Sequence, residues 1–287
     1  MDPQAQKILQ QVRDDHQSGA AQLAVQTLAS LCQWLDAKEV GAGELNDVLT
    51  GLHAARPSMV PLGNAISRCR QGLEASTDTT PVSAHARPVI RQVLQQLQSA
   101  QTQTAKHATE LVSPGAVLMT HSNSSQVFSL FRRLSEQRQS FSVICTQSSP
   151  GNEGFALARQ LDDLGIGVTL ITDAQLGLFM AQADMVVCGC DTWLSDGAFV
   201  NKSGTYLMAL AARAQAKPCW VLADTFKDSS ATSQTVVLEE MPRSELGAPA
   251  GQHITVRNVY FETIPTHLLS GRVSEAGVFS FPAGPLR

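Results

Sequence analysis

Apolar residues recur at helical spacing through roughly the first hundred positions. Ile8, Leu9 and Val12 share one face, and Leu23, Leu28, Leu31 and Leu35 share another, with Ser18 and Gly19 punctuating between them. A turn at Arg56-Pro57-Ser58 opens a further helical stretch through Leu62 and Ile66. A long one follows from Val82 to about Leu111, kinked or restarted at Pro88. Few β-rich runs interrupt this pattern, which predicts a small helical domain over residues 1–112.

At Ser113-Pro114-Gly115 the period changes. Short apolar runs begin to alternate with amphipathic stretches: strands over 116–120, 141–146, 167–172, 185–189 and 219–224, and helices near 124–137, 153–164, 174–182 and 203–216. An Asp196-Gly197 turn falls between the fourth strand and the last helix. Buried apolar strands separated by helices predict an α/β domain over 113–287, built on a mostly parallel, doubly wound sheet with right-handed crossovers. In such sheets ligands bind beyond the carboxyl ends of the strands. The polar residues gather there: Thr120-His121-Ser122-Asn123-Ser124, Thr146-Gln147-Ser148-Ser149-Pro150, Thr172-Asp173, Cys190-Asp191-Thr192 and Asp224-Thr225-Phe226-Lys227.

Composition narrows the partners. The chain has 287 residues, a formal net charge of −4 and only 16% charged residues, which is not the basic footprint of direct nucleic-acid binding. No run approaches the roughly eighteen apolar residues of a membrane span, and the N-terminus lacks the layout of a signal peptide, so a cytoplasmic protein without membrane contact is expected. The six cysteines have no CxxC pairing and read as reduced core thiols. Cys188 and Cys190 alternate on one strand face without the His or Cys spacing of a zinc site, so no metal is expected. Neither G-x-G-x-x-G nor G-x-x-x-x-G-K-[ST] occurs, which argues against dinucleotide and P-loop sites, and no cofactor is expected.

Asp191 directly follows an apolar strand. Partial desolvation would raise its pKa toward neutral proton transfer, while hydrogen bonds from loop amides would leave it an ordinary carboxylate. Asn201-Lys202-Ser203-Gly204-Thr205 forms a turn into a helix, with Asn201 or Ser203 as cap and backbone N–H groups facing outward for an anion; the plainer alternative is a capped helix with a solvated lysine. Lys227, at the next strand end, could add a second positive charge. His121-Ser122 invites a nucleophile-and-base reading, but sequence neighbours rarely align for it and the G-x-S-x-G elbow is absent.

Taken together, the stretches 119–124, 144–150, 165–173, 183–205 and 217–228 resemble the family that unites the alpha, beta and delta subunits of translation initiation factor 2B with ribose-1,5-bisphosphate isomerase and methylthioribose-1-phosphate isomerase. The most specific segment is ADMVVCGCDTWLSDGAFVNKSGTYLMALAARAQAKPCWVLADTFKD. Arg56-Pro57-Ser58 ahead of Leu62-Gly63-Asn64, and the closing VRNVYFETIPTHLLSGRVSEAGVFS, add to it. The resemblance implies a helical N-terminal domain packed on a Rossmann-like C-terminal domain, a sugar-phosphate or nucleotide pocket between them, and a homodimer or higher oligomer formed through the C-terminal domain. It places Asp191 on the isomerases' catalytic Asp and Ser122 on their catalytic Cys. Asn201, Lys202 and Lys227 fall on substrate-binding positions, as do His121, Gly204 and Thr205 in the matching motifs, Gly19 falls within the N-terminal motif, and Arg56 on a phosphate-binding arginine.

Three departures bear on chemistry. Ser122 stands where the isomerases carry the thiol of T-H-C-x-S, and a hydroxyl is a far weaker acid. Ser18-Gly19-Ala20 replaces R-G-A, and Thr146-Gln147-Ser148-Ser149-Pro150 replaces T-E-S/T-R-P, so two guanidinium contacts to phosphate are lost. Two functions are expected from this pattern. One is a protein that binds a phosphorylated sugar or nucleoside monophosphate, with weak aldose-ketose isomerase activity. The other is a non-catalytic regulatory subunit that resembles the alpha subunit of the initiation factor and acts through assembly.

Overall fold

The computed structural model describes residues 2–15, 19–74 and 82–282. Their contacts divide the chain into two units, Met1–Gln101 with Phe226–Asp228, and Thr102–Thr225 with Ser229–Arg287. The division falls within a single long helix.

The helical unit contains α1 (Pro3–Asp14), α2 (Ala20–Ala37), α3 (Ala42–Ala55), α4 (Val60–Glu74) and most of α5 (Val82–Thr109). Pro3 occupies the first turn of α1, where its missing N–H costs nothing, and the Asp2 carboxylate accepts from Gln4 N at 2.8 Å and Ala5 N at 3.3 Å. Lys38, just past α2, holds the same carboxylate at 2.7 Å. Ala5, Ile8, Leu9 and Val12 are buried against a core that includes Leu28, Leu31, Trp34, Leu49, Leu52 and Ile66. The hydrophobic pattern did not single out α3, because Gly43 and Gly51 dilute its helix propensity; its buried stripe of Leu45, Val48, Leu49 and Leu52 sustains it through tertiary packing. Pro88 lies inside α5 and does not end it. Phe226 completes this core, with Asn64 Nδ2 donating to the carbonyls of Phe226 and Asp228 at 2.7 Å each and the Arg68 guanidinium 3.7 Å from the Phe226 ring centroid.

The α/β unit alternates β1 (Ala116–Thr120), α6 (Ser125–Glu136), β2 (Phe141–Thr146), α7 (Glu153–Asp163), β3 (Gly167–Ile171), α8 (Leu176–Phe179, flanked by 3-10 turns) and β4 (Met185–Cys188). Then come β5 (Thr192–Trp193), β6 (Ala198–Lys202), α9 (Thr205–Ala214), β7 (Cys219–Leu222), β8 (Phe261–Pro265), β9 (Gly271–Ser274) and β10 (Gly277–Ser280). Seven strands form one sheet in the order β10-β9-β7-β4-β1-β2-β3, parallel except for the antiparallel edge strand β10. The central strands are buried on both faces, as a parallel sheet covered by helices requires, and β3 at the edge is mostly exposed. The predicted helical unit and mostly parallel α/β sheet are thus both present.

The expected turn at Asn201-Lys202 is different. Both residues lie on β6, the middle strand of a second, antiparallel sheet ordered β5-β6-β8. The local pattern did not reveal this sheet, because β5 is only two residues long and the partner strand β8 lies some sixty residues beyond β6. Helix α9 begins at Thr205 rather than Ser203. No helix among the described residues is long and apolar enough to cross a membrane.

Phe131 on α6 is fully buried and stacks on Phe141 of β2 with ring centroids 5.9 Å apart. Truncation by Phe131→Ala should cost about 3–5 kcal/mol of unfolding free energy in urea titrations. Leu178→Ala, at a position 71% exposed, should change it by less than about 0.5 kcal/mol.

Candidate functional site

The strand order of the large sheet reverses between β1 and β4, which are neighbours although three crossovers separate them in sequence. Loops leaving such a pair diverge and open a crevice at the carboxyl end of the sheet. The two loops are His121-Ser122-Asn123-Ser124 after β1 and Gly189-Cys190-Asp191 after β4. They approach closely at Gly189, where a Cβ would lie 2.3 Å from Ser124 Oγ, so only glycine fits. Asp191 is half-buried and its N–H donates to Val200 O at 2.9 Å, starting the β5–β6 hairpin.

His121 is buried, and both ring nitrogens are engaged. Nε2 lies 2.8 Å from Ser203 O, which can only accept, so Nε2 carries the proton. Nδ1 of the neutral ring then accepts from Thr146 Oγ1 at 2.6 Å. Thr146, having spent its hydrogen, accepts from Ser148 Oγ at 3.1 Å, and Ser148 Oγ accepts from the Ser122 N–H at 2.7 Å. One directional chain therefore runs from Ser122 through Ser148, Thr146 and His121 to Ser203, joining β1, β2 and the segment leading into α9. Burial is the main cause that pushes the His121 pKa below its ordinary 6.5, and Lys202 adds to it. The Ser203 carbonyl, Asp173 and Glu153 oppose it. Ser122 and Ser148 both have left-handed backbone, with φ of 66° and 61°, a conformation that L residues adopt rarely and chiefly where surrounding contacts enforce it.

The second half of the site is the start of α9. Asn201 Nδ2 donates to Thr205 Oγ1 at 2.9 Å, and Thr205 Oγ1 donates to Lys202 O at 2.6 Å, so both side chains brace the junction. Gly204 has φ of +109°, and a Cβ there would lie 2.7 Å from His121 Cε1 and Nε2. The N–H groups expected to face outward are occupied. Antiparallel pairing sets Glu262 of β8 opposite Asn201, and its Oε1 accepts from Gly204 N at 2.7 Å and Tyr206 N at 2.8 Å. Lys202 is likewise not a solvated lysine: its Nζ sits 2.6 Å from Glu153 Oε1 at the first position of α7 and 3.5 Å from the Tyr260 ring centroid. A similar arrangement follows β2, where Asp173 accepts from Ser148 N at 2.9 Å and Ser149 N at 2.7 Å.

The α/β unit therefore brings together His121, Ser122, Asp191, Asn201, Lys202, Gly204 and Thr205. Gly19, Arg56 and Lys227 belong to the helical unit. Gly19 caps α2 without a side chain, Arg56 follows α3 with Nη1 donating to Asp15 O, and Lys227 is buried in the 3-10 turn that carries Phe226. Ser18 lies outside the described residues. Glu153 and Glu262 escaped the reading of the sequence, and Asp173 entered it only as a polar strand-end residue, because only tertiary pairing reveals what each carboxylate faces. A cleft of about 860 Å³ between α1 and α2, lined in part by Lys7, Gln11, Asp15 and Gln26, holds none of these side chains.

A two-unit chain with this sheet order and these strand-end residues matches the model of the Initiation factor 2 subunit family over residues 14–281. The chain belongs to that family. It is 32% identical to a translation initiation factor eIF-2B subunit 2-like protein of Pyrococcus furiosus over 280 residues, 96% of each chain. A protein of the same description from Pyrococcus abyssi is 39% identical over 186 residues, a stretch that spans 64% of this chain and 65% of that one. The ribose 1,5-bisphosphate isomerase of Archaeoglobus fulgidus is 30% identical over 275 residues, 93% of this chain and 87% of the isomerase. Among solved structures, the Pyrococcus horikoshii translation initiation factor eIF-2B superposes with a TM-score of 0.82 at 30% identity, covering 98% of each chain. The family thus includes both initiation-factor-like proteins and sugar-phosphate isomerases.

The site's packing generates two expectations. Gly204→Ala should lower stability by at least about 1 kcal/mol, since it meets both a left-handed backbone penalty and the His121 ring, whereas Gly177→Ala, with open space around its Cβ, should be neutral or slightly stabilising in the same thermal melts. Burial disfavours the proton on His121 in the fold, while an unfolded chain takes it up as pH falls through 6.5. Its contribution is therefore complete above that pH and declines below it, and His121→Asn should show a flatter loss of stability than the wild type in melts between about pH 7.5 and pH 5.5.

Proposed function

We propose that the chain binds a phosphorylated sugar or nucleoside monophosphate through the strand ends of β1 and β4, with aldose-ketose isomerisation slow or lost. The observation that carries this reading is Ser122. It sits in strained left-handed backbone at the switch point of the sheet, held by Ser148 Oγ. That is an elaborately constrained residue for a loop of no consequence, yet its hydroxyl occupies the position at which the resemblance implies a catalytic thiol. Both nitrogens of His121 are committed to Thr146 and Ser203, so the adjacent imidazole offers Ser122 no base. Asp191 is the acid-base group for whatever turnover survives, and Asn201, Lys202, Gly204 and Thr205 shape the wall opposite. Gly19, Arg56 and Lys227 are assigned to ligand binding from the resemblance alone.

A second reading, a regulatory subunit acting through protein assembly as a homodimer or larger oligomer, draws on the 96% two-way coverage with an initiation-factor-like relative. A stable complex in light scattering or pull-down, lost on disrupting the α/β unit's surface, would favour it.

Thermal shift tests the binding reading. A ligand at a hundred times its dissociation constant should add about 2.7 kcal/mol of apparent stability. Ribose phosphates, ribose bisphosphate and nucleoside monophosphates form the panel; a melting temperature unmoved by all of them contradicts the proposal. In an isomerase assay Ser122→Cys should raise turnover and Asp191→Asn abolish it. Equal turnover by wild type and Asp191→Asn would exclude Asp191 from the chemistry.

A further inference from the structure

We propose that residues 241–257 form a strap that opens as one unit and is held shut by Glu245, and that its opening uncovers Lys202 and loosens Ser203. Access to one wall of the proposed site then depends on the strap; in this the device rests on the binding reading, whereas the opening itself does not.

The strap is an Ω-type loop whose ends close on each other. The Met241 N–H donates to Asn258 O at 2.7 Å, Glu240 bridges to Val259, and Arg257 Nε lies 2.7 Å from Glu240 Oε1. Between these ends every residue from 242 to 255 is exposed, including Leu246 and Ile254. The turn bonds in the tip are local: Gly247 N–H donates to Ser244 O and Ile254 N–H to Gly251 O, each at 3.2 Å. Little apolar surface is therefore buried to resist opening, which puts the segment at the low end of local stability.

One carboxylate fastens it. Glu245, in the 3-10 turn Arg243–Leu246, accepts through Oε2 from Tyr260 Oη at 2.6 Å and from Asn258 Nδ2 at 3.0 Å. Asn258 is buried and also donates to Pro242 O at 2.9 Å. Burial, and next the hydrogen bond to Glu245, push the Tyr260 phenol above its ordinary pKa of 10, so it remains a donor through neutral pH. The same short segment reaches the site from its other side. The Tyr260 ring centroid is 3.5 Å from Lys202 Nζ, and Ser203 gives its N–H to Tyr260 O and its Oγ–H to Val259 O, each at 2.8 Å. Ser203 O in turn takes the Nε2–H of His121. When Glu245 leaves, Tyr260 and Asn258 lose their shared acceptor, the ring is free to swing off the lysine, and residues 258–260 fray from Ser203. Glu153 keeps its ion pair, so Lys202 stays in place while the face covered by the ring opens.

Native-state hydrogen exchange of the full chain tests the opening without any ligand. In the wild type the amides of Met241 and Ser203 should exchange together, and faster than that of Cys145 in the buried strand β2. Glu245→Ala should speed both by about tenfold, the factor expected for loss of charge-assisted hydrogen bonds, and leave Cys145 unchanged. Tyr260→Phe, which keeps the ring and removes only the hydroxyl, must act in the same direction, and it serves alone should Glu245→Ala not fold. Protection of Met241 and Ser203 equal to that of Cys145 overturns the proposal, as does a variant that speeds Met241 but not Ser203. Trace acetylation with an N-hydroxysuccinimide ester, read by peptide mass spectrometry, is the second arm. Labelling of Lys202 should quicken about tenfold in Glu245→Ala while that of exposed Lys7 stays constant; an unchanged Lys202 rate overturns the claim that the strap covers it. Failure of every sugar or nucleoside phosphate to bind would sink the binding reading and leave both of these results standing.

Discussion

His121 connects three pieces of chain that are distant in sequence. Its backbone ends β1, its Nδ1 takes a hydrogen from Thr146 at the end of β2, and its Nε2–H is given to Ser203 between β6 and α9. Because the ring is buried and neutral, it can satisfy one donor and one acceptor at once, and each partner is itself buried or bonded onward. Ser148 inherits its orientation from Thr146, and Ser122 is fixed in turn by Ser148. Gly204 must be glycine in part because this ring lies against it. Losing the imidazole would release the loop that carries Ser122 and the strand end that carries Lys202 together.

Around that bridge the protein balances charge internally. Glu153, Asp173 and Glu262 each neutralise a feature that, taken from sequence alone, resembles an anion trap: a lysine, a β-strand end rich in small polar residues, and a helix start. This changes what membership of a family containing sugar-phosphate isomerases implies for the chain. At the switch point Asp191 lies on the β4 side and Ser122, in left-handed backbone, on the β1 side, while Lys202, the start of α9 and the Ser148 and Ser149 amides are engaged by carboxylates.

The legible part of the fold was the part with strong periodicity. The long apolar faces of α1 and α2, the continuous apolar runs of β1, β2, β4 and β7, and the polar residues closing them all follow from local pattern. The small β5-β6-β8 sheet was not legible, because its strands are short and its pairing joins residues near 200 to residues near 262. The same nonlocality explains the site. Asp191, Asn201 and Lys202 could be found from the sequence because they follow apolar strands or precede a helix. Glu262 could not, since nothing in Phe261-Glu262-Thr263 announces that β-pairing aims it at the start of α9. Phe226 is a further case: three residues after β7 belong by contact with helices more than a hundred residues earlier.

The protonation and direction of the His121 bridge fix the orientation of every group along it. Nitrogen NMR of ring-labelled protein at about the ordinary histidine pKa of 6.5 reads both directly. The expected result is a neutral His121 ring with the proton on Nε2 and an unprotonated, hydrogen-bonded Nδ1. An imidazolium at that pH, or a neutral ring with its proton on Nδ1, would abolish the donation from Thr146 Oγ1 to Nδ1 and contradict this direction.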